Sequence, residues 1–205
     1  MTVRGGPRDD DDGTMSGKVG EDDGAVEGLF VASESGADPE PKPRVDVVDG
    51  GVDGDRYCRG DGHFQLDACA VTLVAAEAIA AVREETGIDV SDGRHRRNIV
   101  VRGFGEGMDD LLDAEVRIGD ALVRPTRRRP PCAPVEARAG ADGLASALRN
   151  RGGLCCGVLE PGPVAVGDAV QVTDPDPRTA GAAIADRLRT RENSEGKQGT
   201  DGEHR

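Results

Sequence analysis

The chain has 205 residues, a formal net charge of −13, 32% charged residues and only 2% aromatic ones. That length fits one domain with loose ends. No apolar run of about 18 residues exists to cross a membrane as a helix, and the opening MTVRGGPRDDDDGT has no apolar signal segment. The acidic balance and the absence of Trp argue against a nucleic-acid binder, which needs a clustered basic face and stacking platforms.

The charge is skewed by type: 25 Asp and 14 Glu stand against 23 Arg and 3 Lys. This pattern suggests adaptation to a salty cytoplasm, where hydrated carboxylates keep the surface soluble and salt screens their repulsion. A chain that stayed folded and soluble after dialysis into water would contradict that expectation. Five cysteines, Cys58, Cys69, Cys132, Cys155 and Cys156, lack CxxC spacing and a secretory context. They are expected as reduced cytoplasmic thiols, and the scattered His63, His95 and His204 offer no Cys/His zinc site.

In chain order, residues 1–24 are acidic and Gly-rich, too polar to order themselves. Strands are predicted at 26–33, 45–48 and 71–74, followed by a helix whose Ala75, Ala78, Ile79 and Val82 recur at helical spacing and which Gly87 caps. Residues 98–101 read as a strand and 107–112 as a helical turn. Strands 115–118 and 121–125 form a hairpin about Gly119-Asp120. A short helix at 143–149 and strands at 154–159, 164–166 and 170–173 follow. Residues 174–205 form a polar tail, disordered apart from a possible helix at 180–188 with no evident partner. Many short strands, one substantial helix and no βαβ alternation predict a mainly β fold with α insertions: a barrel-like single domain over residues 25–173.

Three segments concentrate unusual residues. In Gly51-Val-Asp-Gly-Asp55-Arg56 a turn sets a carboxylate beside a guanidinium, although DGD triplets are also ordinary surface turns, and no calcium-loop spacing follows. Arg94-His95-Arg96-Arg97-Asn98 puts a basic run in an acidic protein. Arg94 and Arg97 suit the protein's own carboxylates. If Asn98 opens a strand, Arg96 and Asn98 share a face and could clamp a phosphate or a polar heterocycle. In Arg127-Arg-Arg129-Pro-Pro-Cys132-Ala-Pro a thiol sits between prolines after three arginines, whose charge favours the thiolate that a soft metal or sulfur transfer requires. Inert burial of Cys132 is the plain alternative. Cys155 and Cys156, in the apolar run LCCGVLE, read as structural, one facing inward and one outward, and Cys58 and Cys69 as unremarkable neutral thiols.

These segments, in order, resemble the MOSC domain, named after the C-terminal part of molybdenum cofactor sulfurases, and most of all its small stand-alone prokaryotic members. The motifs are GVDGDRY (51–57), VTLVAAEAI (71–79), RRNIVVRG (96–103), VRIGDALV (116–123), RRRPPCAPVE (127–136) and GGLCCGVLEPGPVAVGDAV (152–170). The resemblance implies a barrel-like β fold that binds a molybdenum–pterin cofactor or a sulfur destined for it. Cys132 matches the cysteine that ligates molybdenum in related amidoxime-reducing enzymes. Arg96 and Asn98 match a pair at the cofactor, and Asp55 and Arg56 match a Gly-Asp-Arg turn near the site. Arg129 belongs to the adjoining positive charge. Where many relatives carry His after that turn, Tyr57 stands here, removing a possible proton donor.

The implied activity is molybdenum-dependent reduction of N-hydroxylated or similar small substrates, with a separate electron-donor protein. The alternatives are a sulfur carrier with a persulfide on Cys132, supplied by a sulfur donor, and a non-catalytic cofactor-binding module. Covalent pyridoxal phosphate is not expected, because Lys18, Lys42 and Lys197 all lie in the ends or the EPKPR linker. The expected location is the cytoplasm, with no membrane or nucleic-acid partner.

Overall fold

The computed structural model describes residues 24–58, 69–131 and 133–174. Seven strands close a mixed barrel in the order β11 (Ala169–Asp174), β7 (Glu115–Ile118), β8 (Ala121–Arg128), β9 (Leu154–Glu160), β5 (Val71–Ala75), β6 (Ile99–Arg102) and β1 (Gly24–Val31), with β1 pairing back onto β11. Closure leaves no unpaired edge among these seven. A smaller sheet of β10 (Gly162–Ala165), β3 (Arg44–Val48) and β4 (Gly51–Val52) lies beside it, and β2 (Glu40–Pro41) pairs with the end of β1.

The alternating Val, Ile and Leu side chains explain the closure. Val26, Leu29, Leu73, Ile99, Val116, Ile118, Val123 and Val170 all turn into one buried cluster inside the barrel. Strand β5 is buried along its whole length. Its Val71 and Leu73 face the barrel interior, while Val74 packs outside against Ile79 and Val82 of α1 (Ala76–Thr86) and against Val100. A strand covered on both faces reads as a continuous apolar run, as VTLVA does.

Helix α1 ends as the sequence indicates, with Gly87 in the left-handed conformation at φ 74° and its N–H on the Arg83 carbonyl. It links β5 to β6, which are parallel neighbours, so the fold contains one βαβ unit. The sequence suggested no such unit, because the irregular stretch after Gly87 conceals the return of the chain. Two further differences bear on the site. Strand β8 runs on to Arg128, so that Arg127 and Arg128 are ladder residues opposite Cys155 and Leu154. Residues Ala133–Ala139 form helix α2, which the prolines disguised although the first turn of a helix tolerates proline. A short α3 (Leu144–Ala147) follows, and a 3-10 helix spans Gly105–Leu111.

The cysteines also depart from expectation. Cys69, just before β5, is disulfide-bonded to Cys155 of β9, with Cα atoms 4.6 Å apart. Cys155 and Cys156 are both buried, because each face of β9 is covered at that point. Cys156 lies in the barrel core, where burial pushes its thiol far above the usual range.

Candidate functional site

The site grows from one buried knot at the mouth of the barrel. Asp55, only 2% exposed, accepts the backbone N–H groups of Ala32 (3.0 Å) and Tyr57 (3.0 Å) and the Asn98 side-chain amide (3.1 Å). Asn98 spends its other capacity inside the protein: Nδ2 also donates to the Phe30 carbonyl at 3.3 Å, and Oδ1 accepts from the Thr72 N–H and Oγ at 3.2 and 2.7 Å. The Gly-Asp-Arg turn is thus fastened to β1, β5 and the entry of β6. Buried polar groups that satisfy one another in this way fix a single geometry. Gly51 permits the approach of this turn, since its φ is 128° and a Cβ there would overlap the Ala70 carbonyl.

On that base stands Arg96, whose backbone is left-handed at φ 61°. Arg96 and Asn98 are therefore not related by strand alternation, because β6 begins only at Ile99. A non-glycine residue in this region stores strain of about 1–3 kcal/mol, a condition that clusters at functional sites. Arg96 is 7% exposed, and its Nη1 donates to the Ala37 carbonyl at 2.9 Å. Its Nε and Nη2 are buried with no hydrogen-bond partner among the described residues. Burial, together with the nearby charges of Arg56 and Arg138, depresses its affinity for the proton. Neither Arg56 nor Arg138 makes a salt bridge among the described residues. Three guanidinium groups thus share one region of an acidic protein, two of whose buried N–H groups lack an acceptor. An anion has the charge and the acceptor atoms that these groups lack.

Tyr57 lies between Arg56 and one further cation, Arg129. The Arg56 guanidinium stacks 4.4 Å from its ring centre, and Arg129 lies 5.3 Å away while donating from Nη2 to the phenolic oxygen at 2.7 Å. Burial alone would raise the Tyr57 pKa, but the charges and hydrogen bonds of Arg129 and Arg56 outweigh it and lower the value. The other terminal nitrogen of Arg129 rests 3.4 Å from the Cys69 sulfur and 3.7 Å from that of Cys155.

Arg94, Arg97 and Arg128 of the two runs hold the scaffold. Arg97 is buried and donates to the carbonyls of Gly152 (2.7 Å), His95 (2.7 Å) and Arg129 (3.4 Å), bracing the loop that leads towards residue 132. Arg94 pairs with Asp92 at 2.7 Å and reaches the Ala139 carbonyl of α2 at 2.8 Å. Arg128 pairs with Asp109 at 2.7 Å. Gly153 must be glycine, because a Cβ there would overlap the Leu73 carbonyl, and its own carbonyl receives the Arg129 N–H at 2.7 Å.

Beside Arg129 opens a cleft of about 630 Å³, a size that suits a small organic ligand. Ala78, Met108, Pro130, Pro131 and Gly152 contribute to its walls. Cys132 follows Pro131 in the chain and lies outside the described residues. Among the described residues no cluster of His, Cys, Asp and Glu could hold a metal ion, and no helix is long and apolar enough to cross a membrane.

His95, at the start of the Arg96 segment, is buried and accepts the Arg97 N–H on Nδ1 at 3.0 Å. Burial, then the Arg97 charge, lowers its pKa from 6.5 to about 3. Below pH 6.5 the unfolded chain therefore takes up a proton that the folded chain refuses, and stability falls as pH falls. The expected contribution is up to about 1.4 kcal/mol per pH unit from near pH 6 downward, read by urea unfolding at a series of pH values. A flat dependence between pH 6.5 and 5 would show that His95 protonates freely in the fold.

Of the residues singled out from the sequence, the structure brings Asp55, Asn98, Arg56, Arg96 and Arg129 to one region. The sequence gives too little weight to three others. Tyr57 enters there only as a replacement for histidine, although it is the only tyrosine and adjoins the Asp-Arg turn. Arg138 gave no signal, because α2 was not anticipated. Cys69 gave none either, because its partner is 86 residues away.

The sequence profile of the MOSC domain matches residues 59–171. A comparison with curated proteins gives no match. Among solved structures, the YuaD protein of Bacillus subtilis is similar at TM-score 0.62 and 19% identity, over 72% of this chain and 94% of that one. YiiM of Geobacillus stearothermophilus is similar at TM-score 0.59 and 19% identity, over 74% of this chain and 75% of that one. YiiM of Escherichia coli is similar at TM-score 0.55 and 15% identity, over 73% and 70%. At these identities the likeness is one of fold.

Proposed function

The chain belongs to the MOSC family, and from that premise we propose that it binds the molybdenum cofactor, with the Arg96 region holding the anionic pterin phosphate and Cys132 providing a thiolate to the metal. The observation that carries this reading is the buried Arg96 guanidinium with two N–H groups lacking an acceptor. A phosphate fits them in charge and in hydrogen-bonding capacity. Arg56 and Arg138 add positive charge beside it, and Asp55 and Asn98 hold the turn that carries Arg56. When bound, the cofactor supplies a molybdenum centre able to accept an oxygen atom from a substrate.

The chain's own residues then act as holders. Arg129, hydrogen-bonded to the Tyr57 phenol, sets positive charge at one margin of the cleft, and Ala78 and Met108 offer a small substrate an apolar wall. In this reading the protein is a cytoplasmic oxidoreductase acting on N-hydroxylated or similar small molecules, fed by a separate electron-donor protein. The run of arginines before Cys132 supports equally a second reading, a sulfur carrier with a persulfide on that residue.

A paired experiment separates the two. Protein from cells that make the cofactor is tested for reduction of a hydroxylamine-type substrate with a chemical electron donor, and its intact mass is measured. Turnover lost in Cys132→Ala is the outcome expected of the oxidoreductase. No turnover, with one extra sulfur on Cys132, would replace it with the carrier.

A further inference from the structure

The disulfide between Cys69 and Cys155 is linked to the anion site through Arg129 and Tyr57, and nothing in the proposed chemistry uses it. Both residues are buried, at 1% and 0% exposure. Arg129 spans the distance between the bond and the site, with Nη1 on the two sulfurs at 3.4 and 3.7 Å and Nη2 on the Tyr57 hydroxyl at 2.7 Å. Tyr57 in turn carries Arg56 on its face. We propose that the Cys69–Cys155 bond is a redox switch on this site: intact, it seats Arg129 against Tyr57; reduced, it displaces both. The inference rests on the reading of the region as an anion site.

The physical cause is volume. Bonded sulfurs lie about 2.05 Å apart, whereas two non-bonded sulfurs need roughly 3.5–4 Å, as other heavy-atom contacts do. A fully packed position cannot absorb that separation silently. Arg129 is the neighbour with a long side chain in contact with both sulfurs, so it is the group that yields. Disulfides in cytoplasmic proteins are uncommon and usually serve sensing or catalysis, which fits a switch better than a staple.

The step is an ordinary exchange. The thiolate of an external dithiol attacks one sulfur and breaks the S–S bond, forming a mixed disulfide. Its second thiol then resolves that intermediate. Two electrons and two protons end on Cys69 and Cys155 as thiols, and the reductant leaves as a disulfide.

The chain supplies its own reporter, since Tyr57 is its only tyrosine and it has no Trp. Wild-type protein is prepared in air, and its thiols are counted after denaturation without reductant. Of the five cysteines, three are expected to react, and all five after treatment with a phosphine. The ultraviolet absorbance of the Tyr57 phenolate is then titrated in the native protein before and after reduction. With Arg129 withdrawn, the midpoint is expected to move up, Arg56 alone remaining opposite the ring. Inorganic pyrophosphate, measured by calorimetry, is expected to bind roughly tenfold or more weakly to the reduced form, because a displaced Tyr57 carries the Arg56 guanidinium stacked on it away from the anion and one charge-assisted contact is lost. Using wild-type protein avoids reliance on Cys155→Ser, which could fail to fold at so buried a position. Five reactive thiols in the air-prepared protein, or the same midpoint in both states, would overturn the switch, as would equal pyrophosphate affinity. A midpoint that moves while pyrophosphate binds neither form would overturn the anion reading and leave the coupling of the bond to Tyr57 standing.

Discussion

Replacing Arg96 with glycine is expected to stabilise the protein by about 1 kcal/mol and to weaken pyrophosphate binding at least tenfold. The two effects have separate causes. The left-handed backbone at φ 61° suits glycine and strains arginine. The buried guanidinium, with Nε and Nη2 lacking acceptors among the described residues, gains its compensation only when an anion arrives. Against this, the variant loses the 2.9 Å bond to the Ala37 carbonyl and gains some unfolded-state entropy, which keeps the net gain small. Urea unfolding gives the first quantity and calorimetry with pyrophosphate the second. A variant that is both less stable and undiminished in binding would show Arg96 to be a structural residue. Opposite signs for stability and binding are the mark of a residue kept for function.

Asp55→Ala is expected to do the reverse, destabilising the fold by about 3–5 kcal/mol, because three buried donors lose their acceptor at roughly 1–3 kcal/mol each, with partial relief from water. The donors are the N–H groups of Ala32 and Tyr57 and the Asn98 amide. For a chain of this size that corresponds to a melting temperature lower by about 10 °C. Asp55→Asn keeps the shape but turns an amide donor towards at least one of those donors, so an intermediate loss is expected. Thermal unfolding followed by circular dichroism measures both. If Asp55→Ala melted within a degree or two of wild type, the knot would not be what holds the turn.

The contrast between these two residues shows what the sequence could and could not reveal. The barrel was legible because its strands alternate or run apolar between glycines, as in 115–118 and 121–125 about the Gly119-Asp120 turn. The single βαβ unit was not, since parallel pairing of β5 and β6 is a property of the return path and leaves no local pattern. The convergence of Asp55 with Asn98 across 43 positions was implied only by the family resemblance. Spacing alone placed Asn98 as a ligand clamp, whereas its amide is filled by Thr72, Phe30 and Asp55. Helix α2 was hidden because Pro130, Pro131 and Pro134 suggest a stiff extended segment, and with it went Arg138. The disulfide was hidden by an odd cysteine count and by irregular spacing without a CxxC pair, both of which point to free thiols.

The composition also takes on a sharper meaning. A net charge of −13 disfavours anion binding in general. The structure gathers Arg56, Arg96 and Arg138 where carboxylates are withheld, apart from the inward-facing Asp55, whose oxygens accept three hydrogen bonds. Local positive potential within an acidic protein is a means of selecting one anion while repelling others from the remaining surface.

The most direct measurement of the central claim is the molybdenum content of protein purified in high salt from cofactor-producing cells, for wild type and Cys132→Ala side by side. The account predicts near-stoichiometric metal in the wild type and its loss in the variant, with both proteins equally folded by circular dichroism. Wild-type protein that contains no molybdenum, or a Cys132→Ala variant that retains it in full, would contradict the account.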